Sequence, residues 1–173
     1  MISYTVLVVG PSKVGKTALV RQFMKRKFTM GAEIELKVPQ RKKCKLNGES
    51  YEVNIVDVPC TDSSPDVYRN HIKDAQGYIL CYSVDSKETF DILWKFLLYI
   101  RVEQGGHKVP IVLVGNKNDL LANRVVDKEL LLDQAREWDC PYFETCANCY
   151  PCVREIFTEI VKEIDALKRR QSF

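Results

Sequence analysis

The stretch GPSKVGKT, Gly10 to Thr17, obeys G-x-x-x-x-G-K-[ST] and directly follows the apolar run from Tyr4 to Val9. That spacing suits the holding of a phosphate chain. Backbone N–H groups of the loop and of the helix start surround a phosphate, where the helix dipole also favours negative charge. Gly15 lets the main chain approach closely, Lys16 supplies a cation between phosphates, and the Thr17 hydroxyl is a ready Mg²⁺ ligand. The competing reading is a plain strand-to-helix turn with an incidental lysine. A strand before the motif and a helix after it weigh against that.

A second constellation, VLVGNKNDL from Val112 to Leu120, places Asn116, Lys117, Asn118 and Asp119 just past an apolar strand. The first loop alone names no base, since nucleotide kinases, transport ATPases and GTPases share it. An aspartate here does, because its carboxylate accepts hydrogen bonds from guanine N1–H and the 2-amino group. Adenine offers a lone pair at N1 and no 2-amino group, so the charge would be left unpaired, a strong form of discrimination. A polar turn is the bland alternative, and a kinase would leave Asn116 to Asp119 without a task.

Both loops need strands that end beneath them. Ser3 to Gly10 reads as a buried strand, and a helix follows Lys16 to about Lys25. Lys43 to Val58 alternates around Asn47-Gly48, a two-residue hairpin signal. Gly77 to Val84 and Val109 to Asn116 are short continuous apolar runs, expected of strands covered on both faces. Phe90, Leu93, Trp94 and Leu97 recur at helical spacing, and Val153, Ile156, Phe157, Ile160, Val161 and Ile164 share one face of a last helix. Strands alternating with helices, plus a single hairpin, predict a three-layer α/β sandwich: a mostly parallel sheet with one antiparallel strand, in a single domain over 1–173.

The bulk numbers narrow the classes. A chain of 173 residues, 46% apolar and 28% charged, is ordinary for one soluble domain. A net charge of +3 gives no argument for nucleic acid, and the basic stretch Val38 to Gly48 reads as a solvated strand edge. Neither a secretory signal nor an apolar run of membrane-spanning length is present, so a cytoplasmic location is expected and membrane association is not. The ending ALKRRQSF carries no C-a-a-X cysteine, so prenylation is not expected.

Taken in order, GPSKVGKT, IVDVPC, VGNKND and FETCAN make the chain resemble a Ras-superfamily small GTPase, especially of the Ras and Rap branch, from residue 3 to about 167. The resemblance implies a P-loop G domain with a six-stranded sheet and five helices. It implies GTP and GDP as ligands, Mg²⁺ as cofactor, and signalling by a monomeric domain through protein effectors or regulators. Carried over residue by residue, Ser12, Lys13, Val14, Gly15, Lys16, Thr17 and Ala18 fall on the phosphate-binding stretch. Phe28 falls on an aromatic that packs against base and ribose, although a lone Phe reads equally well as core. Asn116, Lys117, Asp119 and Leu120 fall on the guanine motif, and Thr17 and Asp57 on the metal site, Asp57 through a metal-bound water. Cys146, Ala147 and Asn148 lie where the family has E-T-S-A-K, which brings the Ala147 N–H to guanine O6; Cys146 and Asn148 depart from that pattern.

The resemblance fails at the outermost phosphate. Glu35 takes the place of a threonine that ligates Mg²⁺ and touches the γ-phosphate. Facing that phosphate, its carboxylate would meet repulsion on the order of 1–4 kcal/mol; facing solvent, it would meet none. Asp57-Val58-Pro59-Cys60 replaces D-x-x-G, losing a glycine N–H, while Pro59 fixes its own φ and pushes Val58 toward extension. Thr61 stands for a water-orienting glutamine, as in the Rap branch, and Ser12 crowds the approach of an arginine finger. No catalytic residue is assigned. Three readings stay open: a nucleotide-binding protein with impaired or absent hydrolysis, which the departures favour; a pseudoGTPase scaffold that binds nucleotide weakly or not at all; and a cycling GTPase completed by a partner.

Seven cysteines without a secretory signal predict reduced thiols. Cys140, Cys146, Cys149 and Cys152 cluster at a spacing able to hold zinc or an iron–sulfur centre, which the place of Cys146 in the base loop opposes. Trp94 and Trp138 read as core, and His71 and His107 as surface or structural.

Overall fold

The computed structural model describes residues 1–24, 40–57, 65–117 and 121–172. Six strands form one sheet in the order β2-β3-β1-β4-β5-β6. They are β1 (Ile2–Val9), β2 (Gln40–Leu46), β3 (Glu49–Asp57), β4 (Gly77–Ser83), β5 (Ile111–Asn116) and β6 (Tyr142–Glu144). β2 runs antiparallel to β3, and the other four pairings are parallel, as the sequence pattern predicts. The hairpin turns on Asn47 and Gly48, with φ of 51° and 82°. Two successive positive φ values give the turn whose twist matches its strands, which is why Asn-Gly marks it. On β2, exposed Arg41, Lys43 and Lys45 alternate with half-buried residues, the expected charged edge.

Alternation along β1 sends Tyr4, Val6 and Val8 to one face of the sheet and Leu7 and Val9 to the other. The first face packs under α1 (Lys16–Met24) and α6 (Tyr150–Gln171). The second packs under α2 (Pro65–Asp74), α3 (Lys87–Asp91), α4 (Leu93–Glu103) and α5 (Lys128–Trp138). All six periodic apolar residues of α6 are buried. Each contributes about 1.5–3 kcal/mol as an upper bound, so the helix is held chiefly by that face. Asp165 adds a polar pin, accepting hydrogen bonds from the hydroxyls of Tyr4 and Tyr51. Burial raises the Tyr4 pKa well above the usual tyrosine range, and the bond to Asp165 does the same for Tyr51.

The helix expected around residues 90–97 is broken at Ile92 into α3 and α4; with these two taken as one interrupted helix, the described residues hold the five helices expected. The placing of Trp94 in the core is corrected. It is 52% exposed, and with Leu98 and Val102 it forms an outward stripe at i, i+4 and i+8. Leu93, Leu97 and Ile100 take the inward face instead. The apolar arc of α4 is wider than the surface the sheet offers, so only one side of it is covered. Trp138 is partly buried against the second core, as expected. Among the described residues no helix is long and apolar enough to cross a membrane.

Candidate functional site

β1, β3, β5 and β6 end along one edge of the sheet. Strand register sets this: Val8 lies opposite Asp57, Ser83 opposite Asn116, and Gly115 opposite Glu144. Ligands of such sheets sit in the crevice beyond the carboxyl ends, where strand order reverses, here beside β1.

The loop from β1 to α1 is shaped by its main chain. Lys13 and Gly15 have φ of 65° and 93°. A Cβ on Gly15 would stand 2.3 Å from Asn116 Nδ2, so conformation and space both require glycine. Lys16 is buried, and its ammonium donates to the carbonyl oxygens of Gly10 at 2.7 Å and Pro11 at 2.9 Å. A buried cation over loop carbonyls is stabilised further by an anion, which a phosphate supplies. The Leu19 N–H donates to Gly15 O at 3.0 Å, so the first N–H groups of α1 lie ahead of the intrahelical ladder, where an anion binds. Ser12, Lys13, Thr17 and Ala18 are exposed at this edge, and Val14 is buried beneath it.

Asn116 and Lys117 stitch the end of β5 to that loop. Asn116 is 1% exposed; its Nδ2 donates to Val14 O at 2.8 Å, and its Oδ1 is buried with no hydrogen-bond partner among the described residues. Lys117, with φ of 65°, donates to Lys13 O at 2.7 Å. A buried acceptor without a donor is costly in a native structure, so Asn116 Oδ1 is a candidate acceptor for a further donor.

The candidate metal site passes a test of fit. The Thr17 hydroxyl donates to Asp57 Oδ2, while Asp57 Oδ1 is buried with no hydrogen-bond partner among the described residues. Adjacent hard oxygen donors, one of them an orphaned carboxylate oxygen, suit Mg²⁺.

On the base side, the Thr145 N–H donates to Gly115 O at 2.9 Å, docking the start of the loop on β5. Glu144 is gripped by both guanidinium nitrogens of Arg124, at 2.7 and 2.8 Å. That pairing raises the Arg124 pKa, and Arg124 donates again to Val126 O at 3.0 Å. Cys146 and Ala147 are half-buried and Asn148 is exposed. The structure therefore gathers loop 10–17, Asp57, Asn116, Lys117 and loop 145–148 at one edge. Phe28, Glu35, Pro59, Cys60, Thr61, Asn118, Asp119 and Leu120 lie outside the described residues.

Two features escaped the sequence. Arg124 is a lone arginine between Asn123 and Val125, with no pattern to announce that it braces Glu144. Cys149 and Cys152 are joined as a disulfide, which corrects the expectation of uniformly reduced thiols. Their Cα atoms stand 5.4 Å apart in the first turn of α6, within the reach of such a bond. Cys44, Cys81, Cys140 and Cys146 are free. Among the described residues no group of three or more His, Cys, Asp or Glu side chains is placed to hold a metal ion.

The Ras family model matches residues 5–166 of the chain. Ras-related protein Ral-B of Rattus norvegicus is 32% identical over 173 residues, covering 99% of this chain and 84% of the relative. Ras-related protein O-RAL of Diplobatis ommata is 32% identical over 170 residues, covering 98% and 82%. Ras-related protein ralB-A of Xenopus laevis is 31% identical over 173 residues, covering 99% and 84%.

Proposed function

The chain belongs to the Ras family, and on that premise we propose that it binds guanine nucleotide, grips the inner phosphates and the base, and hydrolyses GTP slowly if at all. The supporting observation is the interlock of two loops: Asn116 and Lys117 are bonded to the carbonyls of Val14 and Lys13, beside the buried ammonium of Lys16. A ligand with a phosphate at one end and a base at the other would meet both ends already positioned, which lowers the ordering cost of binding. Asp119, past the end of β5, is the proposed acceptor for guanine N1–H and the 2-amino group. Ala147 N–H is the proposed donor to O6, and Phe28 and Leu120 line the base. Thr17 and, through water, Asp57 would hold Mg²⁺, which neutralises phosphate charge when bound.

Hydrolysis makes different demands. It needs groups that follow the γ-phosphate and orient a water. Glu35, Pro59 and Cys60 stand at those places, with chemistry that repels charge, removes a donor and stiffens the chain. The protein thus acts in signalling through protein effectors or regulators that recognise a long-lived nucleotide-bound form.

Denaturing the purified protein and chromatographing the supernatant tests the first half. Guanine nucleotide is the expected content, and an empty pocket would leave the scaffold reading standing. Single-turnover hydrolysis of loaded GTP tests the second half. A rate equal to that of a competent small GTPase would sink it.

A further inference from the structure

Cys149, Tyr150, Pro151 and Cys152 open α6, and the two sulfurs are bonded to each other. We propose that this pair is a reversible dithiol–disulfide site that sets how firmly the loop from Thr145 to Asn148 is held, and through it the rate of nucleotide release. The effect on release rests on the nucleotide-binding reading above; the effect on the loop does not.

Position carries the argument. Cys149 is the N-cap of α6, in extended backbone and with no side-chain cap bond. Its N–H donates to Cys146 O at 3.1 Å, closing the end of the base loop, and its carbonyl accepts the Val153 N–H at 3.1 Å, opening the helix. One residue therefore ends the loop and begins the helix. The disulfide ties it to Cys152, next to the buried core residue Val153. With the bond intact, the loop is anchored at both ends, on Gly115 O through Thr145 and on the first turn of α6 through Cys149. With it broken, the second anchor falls back on backbone hydrogen bonds at a helix end, where fraying is easiest.

Access and chemistry agree. Cys149 and Cys152 are only half-buried, and Pro151 between them is exposed, so an external thiol can approach. Three of the four free thiols among the described residues differ: burial pushes Cys81 and Cys140 up to about 12 and raises Cys44, which keeps these three protonated. The partner is a dithiol reductant. One of its thiolates attacks one sulfur of the pair, the S–S bond breaks, and the other sulfur leaves as a thiolate, stabilised by the positive end of α6, and takes up a proton. The second thiol of the reductant then displaces the mixed disulfide. Two electrons and two protons pass to Cys149 and Cys152, and the reductant ends as a disulfide.

The full chain, oxidised or reduced with dithiothreitol, is alkylated and peptide-mapped, then compared by amide hydrogen exchange. Reduction is expected to add alkyl groups at Cys149 and Cys152. It should lower the protection of the Ala147 to Cys149 amides roughly tenfold, the loss of about one residue's worth of ordering, while β1 keeps its own. Release of a fluorescent GDP analogue should quicken by a similar factor. The Cys149→Ala/Cys152→Ala variant, which adds no new cap bond at the start of α6, should match the reduced protein in either condition. Alkylation of both cysteines without reductant, or equal loop exchange in the two states, overturns the site. Unequal exchange with equal release rates overturns its coupling to nucleotide. If the analogue does not bind at all, the nucleotide reading fails and the coupling with it, while mapping and exchange still decide the loop effect.

Discussion

The two ends of the proposed nucleotide site are held by different kinds of bond. At the phosphate end, the loop from Gly10 to Thr17 is fixed by main-chain conformation, by a glycine pressed against Asn116, and by side chains bonded to its carbonyls. At the base end, the loop from Thr145 to Asn148 depends on attachments outside itself: the Arg124 clamp on Glu144 and the sulfur bridge from Cys149. The first end is held by several restraints at once, in its own backbone and from Asn116 and Lys117. The second has a main-chain anchor on Gly115 O and two further attachments that chemistry or mutation can take away one at a time. On the proposed nucleotide reading, affinity for the phosphates is built in, and retention of the base is the adjustable part.

The sharpest way to break this contrast is Gly15→Ala. It places a Cβ at positive φ against Asn116 Nδ2 and disrupts the bond to Val14, costing about 2–4 kcal/mol of stability by denaturant titration. A loss under half of that would show that the phosphate loop adapts. Lys16→Ala removes the buried cation and should weaken guanine nucleotide on the order of 100-fold, the worth of charge-assisted bonds to phosphate. Isothermal titration in the presence of Mg²⁺ reads it, and unchanged affinity would move the site elsewhere.

At the base end, Arg124→Met leaves the half-buried Glu144 carboxylate without its partner, for about 1–2 kcal/mol, less than a fully buried pair would cost. Adding Glu144→Leu should return much of that loss, because the orphaned charge rather than the missing bond is the penalty. If the double variant is as unstable as the single one, the clamp is shape, not charge. Smallest of all is Trp94→Glu. With the indole 52% exposed on α4, stability should move by no more than about 0.5 kcal/mol in thermal melts. A larger fall would mean that the outward stripe is covered in solution.

Much of this architecture was legible in the chain itself. Asn47-Gly48 announced the hairpin because only a turn with positive φ joins two twisted strands so tightly, and the structure places both residues there. The stripe on α6 was readable because its apolar arc matched the face that the sheet covers. The corresponding inference failed for α4, where Trp94 belongs to the same apolar helix but to its uncovered side. The phosphate loop was recognisable from spacing, yet its bonds to Asn116 and Lys117 were not, since the partners lie 102 and 104 positions away.

Sequence alone carried whatever depends on near neighbours: turn chemistry, helical and strand period, and the glycine, lysine and threonine spacing of the loop after β1. Those follow from steric and hydrogen-bonding rules that act within a few residues. Tertiary structure decided which side of α4 is covered, that Glu144 is spent on Arg124, and that Cys149 bonds to Cys152 while Cys146 stays free. Each of these is a competition among partners that only the folded chain brings within reach, so its outcome depends on packing rather than on the identity of any single residue.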